Sequence, residues 1–186
     1  MGRIAASIGS GLSGAAMLAT GRAAGLGRVE ADTGGAIRSF WAAAIALPML
    51  LCLRLIDWTA NGRPAAPAHD LARDLLIFVV GWAGYAVLSH FVAVRIGRER
   101  RWPGYIAVWN WCNVVQYALL LLAAIPALLH APAQIGQATE LIAVGWALWL
   151  EWFATRLALD VTALTAAALV GADLLIGLFL AGISGG

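Results

Sequence analysis

The sequence contains no lysine, few charged residues of either sign and only two cysteines. Charged residues make up 12% of the chain and hydrophobic residues 62%, whereas a soluble globular domain has about a quarter charged and about half apolar residues. This imbalance excludes an ordinary soluble domain and indicates a membrane protein. The formal net charge of +2 at pH 7 is too small to indicate a nucleic-acid partner.

Motifs that would indicate an enzyme or a cofactor site are also missing. The sequence has no HExxH metal motif, P-loop, GxGxxG fingerprint or nucleophile–base signature. Cys52 and Cys112 both lie in apolar runs, which favours small buried side chains over a disulfide framework or a metal site. Glu151 and His90 alone are too few ligands for a metal. We therefore expect no enzymatic activity and no cofactor.

What the sequence does contain is five apolar runs, each long enough to cross a bilayer. A spanning helix needs about 20 predominantly apolar residues. The sequence therefore predicts an all-α, multi-span transmembrane helical bundle of five helices, which forms one domain over residues 36–186. The five predicted spans are approximately residues 37–56, 71–94, 104–129, 139–159 and 161–183.

The boundary between the last two spans carries no glycine or proline. A single helix over residues 139–183 would be about 67 Å long, more than twice the thickness of a bilayer core. The chain must therefore break there, and we predict a very tight turn with Asp160 as the N-cap of the fifth helix.

Residues 1–35 form an N-terminal segment rich in Gly, Ala and Ser. Ile4, Ile8, Leu12 and Leu18 fall on one helical stripe, so we predict a short interfacial helix. A signal peptide and a disordered tail are the alternatives. The small and hydroxyl residues of this segment would make a poor apolar core for a signal peptide.

The stretch over residues 95–116 organises the spans around it. It holds four arginines within seven residues, then Trp-Pro-Gly-Tyr, then an aromatic run that carries three amide side chains. Pro103 is placed to begin the third helix, where its missing N–H costs little.

The distribution of arginine predicts the orientation. With the N-terminus inside, the inner segments hold nine arginines and the outer segments three, a positive-inside bias. An arginine-only basic set in an Ala- and Gly-rich chain is typical of GC-rich bacterial genomes. We therefore expect a bacterial inner-membrane protein with a cytoplasmic N-terminus and a periplasmic C-terminus. The inner arginines are Arg3, Arg22, Arg28, Arg38, Arg95, Arg98, Arg100, Arg101 and Arg156; the outer ones are Arg54, Arg63 and Arg73.

Six polar side chains within the spans form the candidate intramembrane site. Polar groups at membrane depth are expensive, so each of the six is a functional hypothesis. At about 1.5 Å per residue, two of the amides (Asn110 and Asn113), the imidazole and one carboxyl lie about 7–14 Å from the inner helix ends, and the other carboxyl lies near the midplane. We expect one polar layer, with the three amides on one interior face of the third helix. The six are His90, Asn110, Asn113, Gln116, Glu151 and Asp173.

This layer has three interpretations. Amides in membrane helices usually hydrogen-bond to neighbouring helices, which makes structural packing the first. The second is a pathway for a substrate or for protons, and the third is a site for a lipid headgroup.

The five-span plan and the stretch Arg101-Trp102-Pro103-Gly104-Tyr105 also bear on family membership. Over residues 37–183 the chain resembles the Yip1-type membrane proteins in their broad bacterial form, which have a Gly/Tyr-containing stretch before the third span. The Asp-Leu-Tyr-Gly-Pro signature of the eukaryotic members is absent. The chain is similar as well to bacterial membrane proteins with a Tyr/Trp-Asn-Trp segment in the third span. Neither resemblance implies a catalytic residue.

Our first functional hypothesis is a non-enzymatic scaffold or partner-binding bundle in the lipid bilayer, with a membrane-protein partner or a second copy of the chain. The alternative is a small transporter or channel subunit that uses Asn110, Asn113 and Glu151, and a lipid-handling enzyme is a third. A cavity that reaches Glu151 favours transport, whereas a scaffold should bury these groups in mutual hydrogen bonds.

The orientation is open to a direct test. Reporter fusions at Arg100 and at the C-terminus should report opposite sides of the membrane, because three spans, an odd number, lie between them. If both fusions report the same side, one of the last spans does not cross.

Overall fold

The computed structural model describes residues 2–184, which form an all-α bundle with no β-strand in that range. Residue 1 and residues 185–186, which belong to the predicted segment and domain, lie outside the described residues. The helices are α1 (Gly2–Ala19), α2 (Thr33–Ser39), α3 (Trp41–Asn61), α4 (Pro67–Arg95), α5 (Trp102–Ala123), α6 (Ile125–Leu128), α7 (Ala133–Leu159) and α8 (Ala163–Ser184). Two 3-10 helices, Ala23–Arg28 and Glu99–Arg101, precede α2 and α5.

Within residues 2–184, five helical segments are long and apolar enough to cross a membrane, which confirms the predicted fold class. A helix satisfies its own backbone hydrogen bonds, as the interior of a bilayer requires. The five segments are Thr33–Asn61, Pro67–Arg95, Glu99–Leu128, Ala133–Leu159 and Ala163–Gly182. We call the end of the bundle that holds residues 95–101 the arginine end.

The core is built around α5. Its residues 105–112, eight in succession, are all buried. A helix that is apolar on every side needs neighbours on every side. Helices α1, α2, α3 and α7 pack around α5, while α4 and α8 pack on each other and complete the bundle.

The N-terminal helix α1 packs against α5 through small residues. Gly11 lies directly against the Trp111 indole, and Gly14 lies against the backbone carbonyl of Gly25 in the first 3-10 helix. Small residues allow this close approach because no large side chain holds the two backbones apart. The predicted N-terminal helix is therefore present, but it has 18 residues and joins the core of the bundle.

Several helix ends differ from their predicted positions. α7 begins at Ala133 rather than at residue 139, because the uncharged stretch after Pro132 continues as helix. α5 ends at Ala123 rather than at residue 129, and Pro126 lies in the first turn of the separate short helix α6. α4 begins at Pro67, in the helical position that tolerates proline best.

The prediction that Asp160 is the N-cap of the fifth helix is wrong. Asp160 is the C-cap of α7 in the left-handed conformation, with φ 52° and ψ 59°, which Asp tolerates better than most residues. The Thr162 hydroxyl accepts a hydrogen bond from the Thr165 N–H at 3.2 Å and caps α8 instead. The Asp160 carboxylate lies 3.2 Å from Arg101 Nη2 and 3.7 Å from Arg98 Nη2. The tight turn between the last two spans is confirmed.

At the opposite end of the bundle an ion pair joins α3 to α4. Arg54 Nε lies 2.6 Å from the carboxylate of Asp74, which is only 8% exposed. Arg54 Nη1 also lies 3.3 Å from the Asp57 carboxylate. The side chain therefore contacts acidic residues of the bundle rather than extending freely towards water.

The contact of α1 with α5 predicts the effect of two alanine substitutions. In Gly11→Ala the new Cβ would overlap the buried Trp111 indole, and overpacking of this kind costs about 1–3 kcal/mol. Gly9→Ala is the control, since no atom lies within 4 Å of that Cβ position and alanine favours helix. Thermal unfolding in detergent should show a lower midpoint for Gly11→Ala alone. Equal midpoints would show that α1 does not pack on α5 in this way.

Candidate functional site

The candidate site is a groove of about 420 Å³ where α5, α7 and α8 meet. Glu151 on α7 is 6% exposed, and Asp173 on α8 is partly buried. Both carboxyl groups line the groove, which we call the carboxyl groove. Its other polar lining residues are Asn113, Gln116 and Tyr117.

The two carboxyl groups face each other, and the indole N–H of Trp109 lies beside both. Within residues 2–184, Glu151 Oε1 accepts no hydrogen bond of regular geometry. Two like negative charges in apolar surroundings repel each other and are poorly solvated. A proton or a small cation between the carboxyl oxygens would remove that repulsion. The arrangement can therefore take up a single positive charge.

The pair lacks the further ligands of a tight metal site. Among the described residues, no three His, Cys, Asp or Glu side chains come together in a way that could hold a metal ion. A structural zinc site, for comparison, uses four ligands.

The two amides that line the carboxyl groove are hydrogen-bonded within the bundle. Gln116 Nε2 donates to the Ala147 carbonyl oxygen at 2.9 Å and so joins α5 to α7. Asn113 Nδ2 donates to the Trp109 carbonyl oxygen at 3.0 Å, within α5 itself. Their side-chain nitrogens are engaged with backbone, which leaves the carboxyl groups as the chemically distinctive part of the groove.

Asn110 faces a different part of the bundle. The Trp82 indole N–H donates to Asn110 Oδ1 at 2.6 Å, and Asn110 Nδ2 donates to Ser39 Oγ at 2.7 Å. Asn110 is completely buried and ties together α2, α4 and α5. The prediction that the three amides share one interior face is therefore wrong for Asn110. Successive three-residue steps turn about 300° each, so Gln116 lies about 120° from Asn110 around α5 and meets other neighbours.

His90 also lies apart from the carboxyl groove, near the arginine end of α4. Its ring packs edge-on against Trp102, with 4.8 Å between the ring centroids. The Trp102 indole N–H donates to the neighbouring Ser89 Oγ at 3.1 Å. Of the six predicted residues, the structure brings four together at the groove: Asn113, Gln116, Glu151 and Asp173.

Three buried hydroxyls near Glu151 were not among the predicted site residues. The Tyr85 and Tyr105 hydroxyls are hydrogen-bonded at 2.5 Å, and Thr155 lies beside Tyr105. All three side chains are buried. Two features of the sequence indicate these residues. A buried tyrosine hydroxyl needs a hydrogen-bond partner, and Thr155 follows Glu151 by four residues, on the same face of α7.

Comparison with known proteins assigns neither a family nor a function. No family model, curated protein or solved structure matches this chain. The resemblance to Yip1-type proteins therefore stays a prediction, and the geometry of the groove carries the functional argument.

The different environments of Asn110 and Asn113 predict different effects on stability. Asn110→Ala leaves the Trp82 N–H and the Ser39 hydroxyl without this partner, which in a buried place costs about 1–3 kcal/mol. Asn113→Ala removes only a bond to the backbone of its own helix and serves as the matched control. Thermal unfolding in detergent should separate the two variants. If Asn113→Ala unfolds at the lower temperature, the assignment of Asn110 as the packing residue is wrong.

Proposed function

We propose that the protein is a small membrane transport protein or channel subunit in which the Glu151–Asp173 pair binds a proton or a small cation. The observation that supports this function is the carboxyl groove, because it reaches both carboxyl groups in the interior of the bundle. The groove is an access route to groups that a purely structural role would leave sealed in mutual hydrogen bonds.

The depth of the pair supports the same proposal. Glu151 lies eight residues before the end of α7, and Asp173 lies ten residues after the start of α8. At about 1.5 Å per residue these positions are about 12 Å and about 15 Å from the arginine ends of their helices. A bilayer core is about 30 Å thick, so both lie near its middle. Coupling-ion sites of many transporters occupy that depth.

Two of the three buried hydroxyls near Glu151, those of Thr155 and Tyr105, extend the polar region towards the arginine end. A hydroxyl both donates and accepts hydrogen bonds, so it can pass a proton between neighbours. Thr155 lies one turn after Glu151 on α7, and Tyr105 lies beside Thr155, three residues after the start of α5. The Tyr85 hydroxyl is hydrogen-bonded to that of Tyr105, but Tyr85 lies ten residues before the end of α4, at the depth of the pair. We propose Thr155 and Tyr105 as the route between the pair and the arginine end.

A scaffold or partner-binding bundle is the second candidate. The network of Asn110 with Trp82 and Ser39 favours it, because that network is the mutual hydrogen bonding expected of a structural core. In a scaffold the carboxyl pair would serve packing alone.

For location, we propose a bacterial inner membrane, with a cytoplasmic N-terminus and a periplasmic C-terminus. The nine-to-three distribution of arginine supports this orientation. It would place the arginine end in the cytoplasm and the Arg54–Asp74 ion pair on the periplasmic side. The Yip1-like plan has the same orientation.

Flux measurements test the transport function. The purified chain should carry protons into liposomes under an imposed membrane potential, as reported by an enclosed pH-sensitive dye. Glu151→Gln and Asp173→Asn should abolish this flux, because an amide keeps the shape of the acid but does not titrate. Glu140→Gln is the matched control, since Glu140 is an exposed carboxylate that lines a separate pocket beside Arg54.

The outcomes distinguish the two candidates. Loss of flux in the two groove variants, with unfolding temperatures close to that of the wild type, supports transport. Wild-type protein that conducts neither protons nor, with an enclosed Na⁺- or K⁺-sensitive dye, these cations better than empty liposomes contradicts transport and leaves the scaffold. A Glu151→Gln protein with full flux does the same.

A further inference from the structure

We propose that a second groove, at the arginine end, binds one anionic phospholipid. This groove has a volume of about 260 Å³ and lies between the first 3-10 helix with the residues after it, the start of α5 and the end of α7. It shares no lining residue with the carboxyl groove, so this proposal does not depend on the transport function. We call it the lipid groove.

The walls of the lipid groove are mostly apolar. Leu26 and Val29 form one side, and Val108, Leu157 and Ala158 form the other. An apolar slot between helices at the end of a membrane span suits a hydrocarbon chain, because its walls make the van der Waals contacts that lipid tails make with each other. A soluble anion would gain nothing from these walls.

The mouth of the lipid groove carries positive charge. Arg100 and Arg101 line it. Arg101 shares Asp160 with Arg98, at 3.2 Å and 3.7 Å. Arg100 forms no ion pair with any acidic side chain in residues 2–184 and is exposed. One guanidinium is therefore available for a phosphate group, and a second is only partly neutralised.

The acidic residues near the mouth of the lipid groove do not cancel its positive charge. Glu30 and Asp32 follow Val29 in the chain, and both lie beside Arg38, at 2.6 Å and 3.9 Å. Glu99 precedes Arg100 and lies at the arginine end, among the four arginines of residues 95–101. A guanidinium above an apolar slot, at the level where a span begins, is complementary to a phosphate headgroup above an acyl chain.

Native mass spectrometry of the full chain in neutral detergent tests the proposal. Added dioleoyl phosphatidylglycerol should remain bound as one molecule per chain, in preference to dioleoyl phosphatidylcholine. Arg100→Gln should weaken the apparent affinity for phosphatidylglycerol about fivefold, the effect of one arginine beside an anionic headgroup. Arg63→Gln is the matched control and should change nothing, because Arg63 is exposed in the loop between α3 and α4.

A second variant and a competitor test the apolar half of the site. Ala158→Leu should narrow the slot and reduce the retention of phosphatidylglycerol without changing any charge. Excess inorganic phosphate should leave most of the lipid bound. The proposal is overturned if Arg100→Gln or Ala158→Leu keeps wild-type affinity, if phosphatidylcholine is retained equally well, or if inorganic phosphate displaces the lipid.

Discussion

The rest of the structure depends on the burial of α5 on every side. Residues 105–112 leave no face for lipid, so each neighbouring helix must meet a different surface of α5. The contact of Gly11 with Trp111 fixes α1, the amide of Asn110 fixes α2 and α4, and Gln116 fixes α7. The direction in which each polar side chain points follows from this arrangement.

The polar groups of the bundle fall into two classes with opposite energetic effects. The three amides of α5 and the indoles of Trp82 and Trp102 find hydrogen-bond partners, and such bonds between membrane helices contribute about 0.6 kcal/mol each. Two facing carboxyl groups near mid-membrane instead cost stability unless a positive charge is shared between them. The carboxyl groove reaches the pair, and we propose it as the way in for that charge. The groups that hold the bundle together are thus separate from the groups that we assign to function.

The arginine end has a structural role, beside the recognition role that we propose for it. Asp160 takes a left-handed conformation at the end of α7 and brings its carboxylate to Arg101 and Arg98, so the turn between the last two spans is tied to the start of α5. Arg100 stays outside this network and faces the lipid groove. At the opposite end the Arg54–Asp74 pair joins α3 to α4. Ion pairs therefore connect helices at both ends, while aromatic contacts such as Tyr85 on Trp109 fill the middle.

The sequence by itself determined the five spans, because the length and hydropathy of a run decide whether a helix can cross a bilayer. It also determined the arginine end and the depth of Glu151 and Asp173, since depth follows from counting along a helix. Only the tertiary structure decided which residues meet. A helix that is hydrophobic all round has no apolar stripe to show which face is interior. Its rotation is set by contacts distant in sequence, such as that of Gly11 with Trp111. Asn110 therefore turned away from the carboxyl groove, and Asp160 paired with arginines 59 and 62 residues earlier instead of capping α8.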